Sequence, residues 1–395
     1  MAEQVKTQRI ESIDIFRAFT MLAMLFVNDF AGMKDIPHWL EHAKTREDMM
    51  GFSDLVFPAF LFCVGLSIPF AVANRIKKGD SSLQVIWHVL SRSVILLIMG
   101  IFSMNLGGIT GVISANNLAM IAVIAYFFLW NAYPKAEGTR KHIYTALKVI
   151  GAILLIGIVF AKDWYGMSFR HGWWGILGLI GWCYGLCALA YIFLKGDFKK
   201  IRIAWIAAIV LMIVNQLPFI PREFGIRALF FSFFPGGWTQ AALVLSGMFG
   251  SLCMLKYADK EKPGKFLLNM LIAGALMCVL AIICHNFWII SKNMATPTWF
   301  FFCVALYYPI LGLLYYFCDA KGKTSWAKIV KPAGVATLTA YMMPNIWYGV
   351  MNLLGLNYPA ALTHGGFGLL RSFCFALCII GITWCLGKLK IKLKI

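Results

Sequence analysis

Long apolar runs recur along the whole of this 395-residue chain, separated by short polar segments. Each run is about 17 to 25 residues long, and a helix needs about 20 residues to cross the hydrocarbon core of a bilayer. Backbone groups in lipid must bond internally, which only helices and closed barrels achieve, and barrel strands are about ten alternating residues long. We therefore predict an all-α, polytopic transmembrane helical bundle of about twelve spans (10–12) that forms a single domain, 1–395. The predicted spans lie near 13–31, 54–74, 83–106, 117–134, 143–161, 173–194, 201–218, 237–256, 266–288, 298–318, 332–354 and 366–387.

The composition excludes a globular protein in water. Hydrophobic residues make up 61% of the chain and charged residues 13%, whereas a soluble protein has about 25% charged residues. No cleavable signal sequence is recognised at the start, and Asp14 and Arg17 within the first run favour a retained helix. The segment 219–236 is apolar but broken by proline and charge, so we expect a re-entrant or interfacial piece. The 11 cysteines lie in or beside apolar runs without a CxxC pair, which indicates small buried hydrophobic residues rather than disulfides.

The net charge of +19 is distributed in a way that encodes topology rather than nucleic-acid binding. Lys and Arg recur in short groups between apolar runs instead of clustering on one segment. With the N-terminus in the cytoplasm, the inner segments carry 24 of the 36 basic residues and the outer loops carry 8. This bias predicts that both termini are cytoplasmic, since positive loops stay inside. We expect no nucleic-acid partner.

The longest predicted outer loop, 31–53, is also the most polar and contains His38 and His42. A helix would place these two residues on one face, and such a pair can bind zinc. No HExxH motif and no third ligand are recognisable, so we expect no metal. A neutral histidine is the usual general base for a hydroxyl or amine nucleophile. The alternative is an ordinary solvated connection.

Three further groups of polar residues could carry chemistry. Asp14 and Arg17 share a helix face and either line a cavity or form an interfacial pair. Asp54, with Ser53, begins the second span, where it either caps the helix or orients a histidine of the preceding loop. In the late outer loop, Lys292 is the lone basic residue and Thr296 leads into the next span, as an ordinary capped loop would also arrange.

The order of these motifs resembles one family. The motifs are SIDIFRAFTMLAMLFVND (12–29), EHA (41–43), GFSDLVFPAFLFCVGLSIPFA (51–71), SKNMATPT (291–298) and PAGVATLTAYMMPN (332–345). They are similar to segments of the heparan-α-glucosaminide N-acetyltransferase family and its bacterial relatives, within the wider transmembrane acyltransferase group. The segments GVISANNLAMIAVIAY (111–126) and FFPGGW (233–238) depart from the family pattern, which bears on the acceptor more than on acyl transfer.

The resemblance implies a membrane-embedded acyltransferase of the bacterial inner membrane. Acetyl-CoA on the cytoplasmic side would be the co-substrate, and the amine or hydroxyl of an amino sugar on the periplasmic side would accept the acetyl group. The implied catalytic residues are His42, Asn28 and Asp54, with His38 as the second candidate for the histidine. The substrate-binding candidates are Asp14, Arg17, Lys292 and Thr296. Arg92, in the inner half of its span, is the candidate for the CoA phosphates.

Two other classes of function fit parts of the sequence. A sugar transporter or permease would also have about twelve spans with polar residues inside them. The C-terminal half contains no second copy of DLVFPAF or SIDIFRAF, which disfavours a transporter built from two repeats. A scaffold or lipid-binding protein without turnover is the third class. The expected partners are the sugar, acyl-CoA and the bilayer, with a second copy of the chain in a homodimer as a further candidate.

Overall fold

A computed structural model describes residues 10–109, 111–217 and 238–395 of the chain. The segment 219–236, predicted to be re-entrant or interfacial, lies outside the described residues. The helices are α1 Glu11–Phe30, α2 Ser53–Lys77, α3 Ser82–Met104, α4 Ala115–Trp130, α5 Thr139–Trp164, α6 Gly175–Phe193, α7 Phe198–Asn215, α8 Thr239–Tyr257, α9 Pro263–His285, α10 Pro297–Leu314, α11 Lys331–Val335, α12 Thr337–Leu353 and α13 Gly365–Lys388. Each predicted span contains a helix among the described residues, so the all-helical class is confirmed.

Eight helices in the described ranges are long and apolar enough to cross a membrane: α2, α3, α5, α6, α8, α9, α10 with its continuation to Ala320, and α13. The chain is therefore a multi-pass integral membrane protein. The remaining predicted spans correspond to shorter or more polar helices, of which α4 has 16 residues and α12 has 17. Twelve spans and cytoplasmic termini stay predictions.

Two predicted spans differ from the structure in their internal form. The run 332–354 is not one continuous helix, because the backbone bends at Ala336 (φ −122°, ψ 48°) between α11 and α12. The run 298–318 changes from α-helix to a π-helical turn over Tyr315–Ala320. A hydropathy pattern predicts neither feature, because it reports only the length and the apolar character of a run.

Polar residues at helix starts fix where several helices begin. Thr296 caps α10 by accepting from the Trp299 N–H, and Pro297 occupies the first helical position, where its missing N–H costs nothing. Asp197 caps α7 by accepting from the Lys200 N–H. These caps lie in the connections between the apolar runs.

The chain divides into two compact units, and the first comprises the described residues of Met1–Thr20, Pro37–Val94 and Leu179–Lys328. Within it, α2 packs along α8, α7 packs against α8, and α9 packs along α10. Glycines make the α2–α8 approach close. A Cβ on Gly65 would lie 1.8 Å from the Val244 carbonyl oxygen, and one on Gly247 would lie 2.0 Å from that of Phe62.

The second unit comprises the described residues of Met21–Ile36, Ile95–Gly178 and Ile329–Ile395. Within it, α4 packs against α5 and α12, and α13 packs against α11 and α12. The C-terminal residues fold back beside α4, because the Lys392 N–H donates to the Asn131 side chain at 2.8 Å.

Candidate functional site

The loop before α2 folds tightly back on itself in the first unit. The Phe52 N–H donates to the Trp39 carbonyl at 2.7 Å, and a Cβ on Gly51 would lie 1.9 Å from the Glu41 carbonyl oxygen. Only glycine fits at such a close approach of two backbone segments. The turn brings residues 41–43 over the first turn of α2, where Asp54 lies.

Asp54 is enclosed by hydrogen-bond donors. Its side chain is 2% exposed, and its Oδ2 accepts from the backbone N–H groups of Ala43 at 3.0 Å and Gly51 at 3.2 Å. Its Oδ1 lies 2.7 Å from His42 Nδ1 and 3.7 Å from Lys292 Nζ. An ionised carboxylate offers only acceptors, so this surrounding suits the charged form of Asp54.

The alternative that Ser53 or Asp54 caps α2 is wrong. The N-cap position is Phe52, without a side-chain cap bond, and the Ser53 hydroxyl donates instead to the Leu40 carbonyl. The Asp54 carboxylate turns away from the helix toward the preceding loop, where it contacts His42.

A proline within α2 fixes the backbone of Asp54 as well. Pro58 has no N–H to donate to the Asp54 carbonyl four residues earlier. The Trp299 indole Nε1–H of α10 donates to that carbonyl at 3.2 Å instead. The loop therefore holds the Asp54 carboxylate, and α10 holds the Asp54 backbone carbonyl.

His42 is oriented through one ring nitrogen and leaves the other accessible. Its Nδ1 lies 2.7 Å from the Asp54 carboxylate, which assigns the proton to Nδ1 and the lone pair to Nε2. The side chain is 42% exposed, and no hydrogen bond of Nε2 is found among the described residues. A carboxylate, a histidine tautomer fixed by it and an accessible Nε2 form an arrangement that can act as a general base or nucleophile.

Lys292 completes this cluster from the loop between α9 and α10. Its Nζ lies 3.2 Å from His42 Nδ1 and 3.7 Å from Asp54, and the side chain is 22% exposed. Burial lowers the pKa of Lys292, and the Asp54 carboxylate opposes that shift. Lys292 was predicted to bind substrate, whereas its amine lies on the Asp54 side of the imidazole.

The late loop also clasps the His42 loop by several polar contacts. The Asp48 carboxylate accepts from the Ile290 N–H at 2.7 Å and lies 2.8 Å from His285 Nε2. The hydrogen bond from Ile290 lowers the pKa of Asp48, which is then charged at neutral pH. The Asn293 amide donates to the Ala43 carbonyl at 3.2 Å. Sequence reasoning missed this clasp, although two polar loops on one predicted side were its visible signal.

Thr296 has a structural place in the same loop. Its side chain is buried, and its hydroxyl caps α10 while it also bonds the Ser291 backbone. These hydrogen bonds already occupy the hydroxyl, so they do not favour the prediction that Thr296 binds substrate.

His38 lies in a different environment from His42. Only His38–Leu40 is helical, as a single 3₁₀ turn, so the two histidines do not share a helix face. Both ring nitrogens of His38 face carboxylates, Glu41 at 3.2 Å and Glu47 at 2.6 Å. These carboxylates, Glu47 foremost, raise the pKa of His38. With both nitrogens engaged, His38 is the weaker candidate for a base.

Three of the remaining predicted residues lie in α1, which contributes to both units. Asp14 and Arg17 form an ion pair at 2.6 Å, and Arg17 also donates to Ser67 at 3.4 Å. Asn28 belongs to the second unit, where it is exposed in the last turn of α1.

Arg92 lies close to the middle of α3, roughly 15 Å from either helix end at about 1.5 Å per residue. Its guanidinium stacks over the Tyr184 ring at 5.0 Å, and its Nε is buried without a hydrogen-bond partner among the described residues. Highly charged phosphates are costly at such a depth, so this position does not favour the predicted contact with the CoA phosphates.

No group of three or more His, Cys, Asp or Glu side chains with metal-binding geometry occurs in the described part of the chain. None of the 11 cysteines, all of which lie in the described ranges, is joined in a disulfide.

Residues 9–249 match the family model described as Domain of unknown function (DUF5009). The chain belongs to this family. More than half of its length lies within the match, including the His42 loop, α2 and the first part of α8, the helix against which α2 packs.

Two curated proteins also show similarity, and both support a distant family relationship. Heparan-alpha-glucosaminide N-acetyltransferase of Mus musculus is 26% identical over 139 residues, covering 32% of this chain and 20% of that protein. The Homo sapiens protein of the same name is 33% identical over 98 residues, covering 25% of this chain and 14% of that protein. The matched segments thus span no more than a fifth of these relatives.

Proposed function

We propose that this protein is a membrane-embedded acyltransferase that moves an acetyl group from acetyl-CoA to the amine or hydroxyl of an amino sugar. The observation that carries the proposal is the His42–Asp54–Lys292 cluster, with His42 Nε2 left accessible. The distant relationship to two N-acetyltransferases supports the reaction class.

In the direct route, His42 acts as general base. Nε2 takes a proton from the attacking amine or hydroxyl as its nitrogen or oxygen bonds to the thioester carbonyl carbon. The C–S bond then breaks, and the CoA thiolate takes up the proton from His42. Asp54 holds the ring and stabilises the imidazolium that forms between these transfers.

In the covalent route, His42 Nε2 attacks the thioester carbonyl carbon, the C–S bond breaks and CoA leaves as the thiolate. The sugar amine or hydroxyl then attacks the acetyl-imidazole, the bond from the acetyl carbon to Nε2 breaks, and the proton of the nucleophile goes to the CoA thiolate. The neighbouring Lys292 ammonium, 3.2 Å from Nδ1, would make an acyl-imidazole more electrophilic. Ping-pong kinetics with acetylated His42 in quenched samples would identify this route, and a ternary-complex pattern would identify the direct one.

Asn28 is proposed to supply a donor to the oxyanion, on the strength of the sequence resemblance. Its exposed amide can donate two hydrogen bonds. Loss of one oxyanion donor typically costs about 10²–10³ in kcat.

The sidedness of the reaction is proposed from the basic residues. Their bias toward alternate loops supports cytoplasmic termini and a 31–53 loop on the outer side, in the periplasm of a bacterial inner-membrane protein. Acetyl-CoA would then enter from the cytoplasm, and the sugar would meet His42 on the other side.

The test is transfer of radiolabelled acetyl from acetyl-CoA to a panel of amino sugars by the purified protein in nanodiscs. His42→Ala should abolish transfer, while His38→Ala, a histidine of the same loop with both nitrogens engaged, should retain most of it. Transfer unchanged in both variants would overturn the base assignment. Sugar flux into vesicles without acetyl-CoA binding would identify a transporter.

A further inference from the structure

The buried carboxylate of Asp29 lies directly beside Asn28, the proposed oxyanion donor, in the second unit. Asn28 and Asp29 are neighbours in the last turn of α1, where consecutive side chains point about 100° apart. The Asp29 side chain is 0% exposed, whereas Asn28 is exposed. Asp29 thus anchors the last turn of α1, and its neighbour Asn28 faces outward.

Two other helices hold Asp29. Arg371 Nη2 of α13 donates to its Oδ2 at 2.8 Å, and the Tyr348 hydroxyl of α12 donates to its Oδ1. Donors on two separate helices fix both the rotation of α1 about its axis and the depth of its last turn.

Arg371 is itself held in place. Its guanidinium lies over the Tyr358 ring at 4.3 Å, and the Tyr358 hydroxyl accepts from Trp347 Nε1 at 3.1 Å. Stacking on an aromatic ring restricts the planar guanidinium, which a lysine would not reproduce.

The segment that follows α1 is hydrogen-bonded to α13, the helix that also carries Arg371. The Gly365 N–H at the start of α13 donates to the Lys34 carbonyl at 3.1 Å. The last turn of α1 is therefore held both at Asp29 and a few residues beyond it, with Asn28 next to the first attachment.

We propose that Asp29, Arg371 and Tyr348 are positioning residues that set the direction of the Asn28 amide during acyl transfer. The inference rests on the proposed function, because it gives Asn28 a catalytic task. Buried ion pairs contribute little net stability but can specify a single arrangement, which is the property needed here.

The experiment is a double-mutant cycle on kcat with Asn28→Ala, Asp29→Asn and the double variant, in nanodiscs with acetyl-CoA and the best acceptor. Asp29→Asn should lower kcat roughly 10- to 100-fold, as a displacement of about 1 Å can do. The KM for acetyl-CoA should change by less than about threefold, because the donor's ground-state binding is untouched. In the Asn28→Ala background, Asp29→Asn should cause almost no further loss.

Two milder variants guard against failure to fold. Tyr348→Phe removes one donor and should cost about 3- to 10-fold in kcat, and Arg371→Lys, which keeps the charge, should lose less activity than Arg371→Gln. Asp80→Asn is the matched control, since Asp80 pairs with Arg75 at 3.0 Å in the first unit and should leave kcat unchanged.

The outcomes separate the two proposals. Losses that multiply in the double variant would overturn the positioning role while leaving Asn28 catalytic. Full activity of Asn28→Ala would overturn both the Asn28 assignment and the positioning role, while the His42 assignment would stand on its own variants.

Discussion

Replacing Asp54 with asparagine tests the proposed role of His42, because the Asp54 carboxylate fixes which nitrogen of His42 carries the proton. Ala43 and Gly51 present two backbone N–H groups to Oδ2, so the asparagine must place its oxygen there. The opposite orientation would leave two buried N–H groups unsatisfied, at about 1–3 kcal/mol each. The NH₂ group then faces His42 Nδ1, which becomes an acceptor, and the ring proton moves to Nε2. A protonated Nε2 cannot accept the proton of the nucleophile.

The expected loss follows from the distance between carboxylate and ring. A unit charge pair at 2.7 Å is worth about 6 kcal/mol at an effective dielectric constant near 20. The 42% exposure of the His42 side chain screens part of this interaction, which leaves about 3–5 kcal/mol for stabilising the imidazolium. We therefore expect Asp54→Asn to lower kcat about 10²- to 10⁴-fold.

The assay is single-turnover acetyl transfer at saturating acetyl-CoA, with thermal unfolding of each variant measured in the same detergent. Asp48→Asn is a matched control, because Asp48 also contacts a histidine and a backbone N–H but lies in the exposed clasp. It should retain activity within about threefold. Combining Asp54→Asn with Lys292→Met removes the unpaired ammonium and should restore stability without restoring activity. Near-normal turnover of Asp54→Asn would refute the tautomer argument, as would equal losses in the two aspartate variants.

Three further outcomes are expected. Lys292→Met removes the cation 3.7 Å from a buried carboxylate and should lower the free energy of unfolding by about 1–3 kcal/mol, with Lys292→Arg closer to wild type in the same thermal melts. Gly51→Ala places a Cβ 1.9 Å from a main-chain oxygen and should reduce both activity and melting temperature, whereas Gly264→Ala, with open space around it, should change neither. Glu47→Gln removes the main cause of the raised pKa of His38. That contribution is present below the ordinary pKa of 6.5 and is lost as pH rises through the raised value, whereas the Lys44 N–H still favours the charged Glu47 at high pH. The difference in melting temperature between wild type and variant should therefore be larger at about pH 5.5 than at about pH 9.

Local patterns predicted much of this fold. Helix positions follow from apolar run lengths, because each helix satisfies its own backbone in lipid. His42 and Asp54 were singled out together because only twelve positions separate them, which a single loop can bring into contact.

The long-range contacts were not predictable from one sequence. Asp29 and Arg371 are 342 positions apart, and Asp48 and His285 are 237 apart. Opposite charges within two apolar runs hinted at the first pair, but run lengths and charges do not say which helices become neighbours. Thr296 was assigned to substrate because its capping role depends on backbone geometry that residue type alone leaves open.

The bond from Trp299 to the Asp54 carbonyl has a consequence for biosynthesis. It joins residues 245 positions apart, and at roughly 5–20 residues per second the ribosome needs about 10–50 s to cover that stretch. During this interval α2 has already been made with the carbonyl left bare by Pro58 and a carboxylate that awaits Lys292. The nascent protein thus carries the His42–Asp54–Lys292 cluster half-assembled until α10 has been made, so truncated or stalled chains should lack the fixed cluster and should expose α2 to quality-control proteases.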